Sequence, residues 1–90
     1  MTNSVEDNIQ KSIKIITKHI IKKYDVKGDY EEELVVRCSQ AVTRLRKIQQ
    51  RNPDTYQSLA DKEVKSCFSD FAKIIGVDAL FIERTYSSYL

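Results

Sequence analysis

The chain has 90 residues, a net charge of +2 and no run of basic residues strong enough to mark a phosphate-binding tail. Ninety residues build one domain, residues 1–90, with a single core and little room for an enclosed catalytic cleft. Two Gly and one Pro leave few turns and long elements, which favours helices. The N-terminal MTNSVEDN is polar and acidic, unlike a secretion signal, and the longest apolar runs, such as Leu34-Val35-Val36, are too short to cross a membrane. The expectation is a cytoplasmic protein.

From Ser4 to Tyr24, apolar residues recur at Val5, Ile9, Ile13, Ile16 and Ile20, the stripe of an amphipathic helix. Ser4 is the expected N-cap, with Glu6 and Asp7 at the positive end of the dipole and Lys18, Lys22 and Lys23 at the negative end. Gly28 ends this stretch. Asp29 and Glu32 then have the spacing of a capping box. A second helix follows from Tyr30 to about Gln50, with Leu34, Cys38, Ala41, Leu45 and Ile48 inward and Val35 and Val42 widening the stripe.

Asn52-Pro53 stops that helix, since the residue before proline avoids the α region. The same pair is placed to start a third helix, Asn52 as cap and Pro53 at its first position. Its stripe is Tyr56, Ala60, Val64, Cys67, Phe71 and Ile74, flanked by Phe68 and Ile75. One helix from Pro53 to Ile75 is favoured over a break at Asp61. Gly76 and Val77 read as a Schellman stop. A short last helix runs from Asp78 to Leu90. The fold class is therefore all-α: a small antiparallel bundle of three long helices plus a short C-terminal helix.

Chemistry is sparse. His19 is the single histidine, on the flank of the first stripe, with no nucleophile or metal constellation beside it. Cys38 and Cys67 lack CxxC spacing and lie at similar distances from the Asn52-Pro53 turn. They are expected as buried, reduced neighbours in one layer. Glu31, Glu32 and Glu33 point in different directions on a helix and do not converge on a metal. Arg37, Arg44 and Arg51 share one edge of the second helix, where a charged edge beside the core is the commoner meaning and a phosphate ladder the rarer. No catalytic, cofactor or metal-ligating set follows, and the chain reads as non-enzymatic.

The stretch Phe71–Tyr86 resembles the helix-turn-helix family. Ala72 stands where that family has a small residue in its first helix, and Gly76 where it has the turn glycine. Ile75 and Val77 flank the glycine, and Ile82 matches the apolar anchor of the second helix. These are packing positions. The resemblance implies a groove-facing set of Asp78, Ala79, Leu80, Glu83, Arg84 and Ser87. Two of those are carboxylates, and Arg84 is its one bidentate donor for a guanine edge. A DNA-binding regulator using Ala79, Arg84 and Ser87 is thus the alternative function.

The favoured function is protein–protein binding, with another protein or a second copy of the chain as partner. If Ile82, Tyr86 and Tyr89 face the core, Leu80 and Phe81 are left outside, and adjacent exposed apolar residues mark partner sites. Covering the end of the third helix is their competing role. Ile15 lies off its stripe in the same way. The expected contact set is Ile15, Leu80, Phe81 and Arg84, on a regulator, inhibitor, immunity-type protein or accessory subunit. In scale and helix count the chain is similar to bacteriocin-immunity proteins and to small phage proteins that bind host machinery. Nucleic acid is the less favoured partner and a membrane is not expected.

Overall fold

The computed structural model describes residues 7–89. Helix α1 spans Asn8–Lys23, α2 Asp29–Arg51, α3 Tyr56–Ile75 and α4 Ala79–Tyr86, continued by a 3-10 turn at Ser87–Tyr89. Three long helices and a short fourth form the expected all-α bundle.

The helix ends show where local chemistry prevailed. Asp7 caps α1, its Oδ1 accepting the N–H of Gln10 at 2.9 Å; the expected cap Ser4 and the stripe residue Val5 lie outside the described residues. The capping box at Asp29 does not form. Gly28, at φ 63°, holds the N-cap position and its carbonyl accepts the N–H of Glu32 at 3.2 Å, so Asp29 is already the first helical residue. Pro53 likewise does not open α3. The N–H of Thr55 donates to the carbonyl of Asn52 at 3.2 Å, a turn with Pro53 at the position after its start, where proline is favoured. The helix begins only at Tyr56, and then runs unbroken past Asp61 to Ile75.

The stop at Gly76 is the expected one. Gly76 adopts φ 75° and ψ 34°, and the N–H groups of Gly76 and Val77 both donate to the carbonyl of Ala72, at 2.8 and 3.0 Å.

Cross-links fix the packing directions. Gln10 Nε2 donates to Gln49 Oε1 at 3.0 Å, tying the start of α1 to the end of α2. Arg37 and Arg44 of α2 reach Glu63 and Asp70 of α3 in reversed order. Lys23 lies over Phe81, His19 meets Tyr86, and Ser12 donates to the Tyr89 carbonyl, so α4 and its extension run antiparallel along α1. Helix α2 packs on α1 and α3, whereas α4 packs on α3 and runs along α1. They therefore cover opposite sides of the α1–α3 pair.

The core is the union of the stripes: Ile9, Ile13, Ile16 and Ile20; Leu34, Ala41, Val42 and Leu45; Val64, Phe68 and Phe71; Ile82 and Tyr86. Burying an Ile- or Phe-sized side chain contributes about 1.5–3 kcal/mol, so the stripes outweigh any surface ion pair. Cys38 and Cys67 are buried and unbridged, as expected. Two stripe assignments need correction. Val35 is 47% exposed, because it lies at the edge of the α1–α2 contact where α1 does not reach over it. Tyr89 is 42% exposed. The 3-10 turn sets it beside Tyr86, the two rings tilted by 58° with centroids 5.5 Å apart.

Candidate interaction surface

Helix α4 starts because Asp78 is extended and its Oδ1 accepts the N–H of Leu80 at 2.8 Å. Its inner face carries Ile82 and Tyr86, both fully buried. The Tyr86 hydroxyl lies 2.7 Å from His19 Nδ1, and the two rings meet edge-on at 5.4 Å. Burial, then the neighbouring Tyr24 and Tyr89, raises the Tyr86 pKa. The histidine that sequence placed on an exposed flank is exposed, yet it anchors the last helix. Neither its position nor its neighbours in sequence signalled that link, which joins residues 67 apart.

On the outer face, Leu80 is 57% and Phe81 47% exposed. Phe81 lies beneath the ammonium of Lys23 at the end of α1, 5.5 Å from ring centroid to Nζ. Arg84 is exposed one turn further on. Ile15 is exposed too, but its place in the α1–α4 register is between the Ser12–Tyr89 and His19–Tyr86 contacts. It is thus eight residues, about 12 Å along α1, from the Lys23–Phe81 contact. Leu80, Phe81 and Arg84 form one patch; Ile15 belongs with the Tyr89 end.

The helix-turn-helix contact positions are spread differently. Asp78 is engaged as a cap, Ala79 is half-buried against the core, and Ser87 is exposed with its hydroxyl 3.5 Å from the Arg84 carbonyl. Arg84 remains the exposed cation of the set.

The charged edge expected from Arg37 and Arg44 lies between α2 and α3, and what the sequence did not show is the burial of Arg37 and the identity of its acceptors. Arg37 is buried. Its Nε donates to Asp70 Oδ2 at 2.6 Å, and both terminal nitrogens donate to Glu63 Oε2 at 3.3 Å. Arg44 approaches the same Glu63 oxygen at 3.6 Å. Burial opposes the charge on Arg37, but the Asp70 hydrogen bond and the charges of Cys67, Glu63 and Asp70 outweigh it and raise the pKa. The heptad spacing of Arg37 and Arg44 was the available signal. Neither is a phosphate ladder here, because both guanidiniums face carboxylates of α3.

Among the described residues, no group of three His, Cys, Asp or Glu side chains comes together to hold a metal ion, and no helix is long and apolar enough to cross a membrane. No family model, curated protein or solved structure matches the chain.

Proposed function

We propose that this chain acts by binding another protein through the outer face of α4, as a regulator, inhibitor or accessory subunit of the cytoplasm. One observation carries the reading. Leu80 and Phe81 stay exposed side by side on a helix that Asp78 caps and whose other face buries Ile82 and Tyr86. Two large apolar side chains held in fixed geometry lose little conformational freedom on binding, the property of an anchor. Arg84 adds a directed donor at the edge, and Ile15 extends the contact where the partner reaches the Tyr89 end. The chain performs no chemistry of its own in this reading, and needs no cofactor.

A second reading is a DNA-binding regulator that inserts α4 and contacts DNA with Ala79, Arg84 and Ser87. The Gly76 turn and the Asp78-capped helix favour it, because they are the packing geometry that the helix-turn-helix resemblance implies. Weighing against it, Asp78 places a carboxylate at the helix N-terminus, where a phosphate would otherwise sit.

The two readings separate in one experiment. The wild-type chain, L80S/F81S and R84A are immobilised and exposed to nuclease-treated extract of the source cell and, separately, to duplex DNA across a salt series. Protein binding predicts a specific partner lost with L80S/F81S and retained at moderate salt. DNA binding predicts duplex retention that falls with salt and with R84A.

A further inference from the structure

The outer face of α2, on the other side of the bundle from α4, carries a second pattern. Val35 and Val36 are 47% and 48% exposed in the first half of a 23-residue helix. Ser39, Gln40 and Thr43 continue the same ridge and are all exposed. A groove of about 390 Å³ between α1 and α2 runs along one flank of this ridge, and the ridge itself, from Val35 to Lys47, forms an open surface beside it. Both include Val35, Ser39 and Thr43. The charge along the helix is polarised: Glu31, Glu32 and Glu33 are exposed at its start, Arg46 and Lys47 near its end.

A surface that is acidic at one end, basic at the other and uncharged between is complementary to itself when reversed. We propose that this ridge is the interface of a two-fold homodimer, with the α2 helices of two copies antiparallel across an axis beside Ser39 and Gln40. In that register Glu32 of each copy opposes Lys47 of the other, and Val36 opposes Thr43. Ser39 at the crossing lets the two backbones approach, and each ridge settles against the groove flanking the other. The reverse, parallel pairing places the glutamates against one another and the lysines likewise, so charge selects the antiparallel arrangement. This interface leaves the α4 face of each copy open, so it stands or falls independently of the proposed partner site.

The test is sedimentation equilibrium of the intact chain at concentrations up to about 1 mM, with E32K, K47E and their equimolar mixture. The wild type dimerises reversibly. Each reversal sets like charges opposite one another twice per dimer and weakens association about tenfold. The mixture recovers it, because the heterodimer again has two opposite-charge pairs. S39C forms a disulfide-linked dimer under mild oxidation, whereas the wild type, with Cys38 and Cys67 buried, does not. A wild type monomeric throughout the range overturns the proposal. So does a dimer indifferent to both reversals, or one in which the mixture is no tighter than its components.

Discussion

Replacing Arg37 with methionine tests the account of how α2 and α3 are held in register. Methionine preserves the unbranched stem that packs at the interface and removes only the guanidinium. The Arg37 side chain is 9% exposed, Glu63 12% and Asp70 41%. In R37M, Asp70 turns to solvent at little cost. Glu63 cannot: it stays nearly buried, with Arg44, itself 56% exposed, as the remaining cation beside it. Removing one partner of a buried pair costs about 3–5 kcal/mol. The exposure of Asp70 and the presence of Arg44 reduce that to about 2–3 kcal/mol. For a domain of this size the melting temperature falls by roughly 10–20 °C. Urea unfolding followed by far-ultraviolet circular dichroism measures the difference directly. D70N should cost less than R37M, and R37M/E63L should regain much of the loss by replacing the charges with apolar packing. A loss below about 0.5 kcal/mol in R37M, the scale of an ordinary surface substitution, would refute the reasoning.

Three further outcomes follow from the same structure. Gly76→Ala should cost about 1–2 kcal/mol from left-handed backbone strain alone, because an added Cβ meets no atom within 4 Å, and G76N should cost less; thermal melts of both check this. Stability should fall with rising alkalinity: burial pushes the Cys67 thiol from 9.0 to about 12 and the Tyr56 hydroxyl from 10.0 to about 12. Both contributions are complete below pH 9 and are lost as pH rises through 12, since the unfolded chain ionises first. The Cys67 share is at most about 4 kcal/mol, and C67A should therefore unfold with a visibly shallower pH dependence in urea titrations between pH 8 and 12. Ile82→Ala should destabilise by about 2–5 kcal/mol, while L80S/F81S should stay within about 1 kcal/mol of the wild type, a contrast that calorimetry resolves.

The helices and most of the core were legible because each stripe repeats over several turns, and many residues vote together. Ile13, Ile16, Leu34, Leu45, Phe71 and Ile82 all lie where periodicity put them, fully buried. The Gly76 stop was legible for a different reason: glycine followed by an apolar residue satisfies a demand that few other pairs meet. Boundaries failed where two residues could fill one role. Gly28 and Asp29 both suit a helix start, and the left-handed turn that glycine allows took the position first. Pro53 suits both a turn and a first helical residue, and the Asn52–Thr55 hydrogen bond chose the turn. Side-chain links between distant residues left no local trace. Arg37 finding Asp70, and His19 finding Tyr86, depend on how two helices are rotated against each other, which no single stripe specifies. Exposure of Leu80 and Phe81 was legible, since α4 has one inner face and they stand off it; that Phe81 lies against Lys23 was not.

The central claim is that α4 buries one face to build the bundle and offers Leu80 and Phe81 on the other to a protein. Capture from nuclease-treated source-cell extract at moderate salt, comparing the wild type with L80S/F81S at matched melting temperature, tests it most directly. The account predicts a discrete protein held by the wild type and absent from the double variant, with both chains equally folded. Equal capture by both, or retention of duplex DNA that R84A abolishes and L80S/F81S does not, would contradict it.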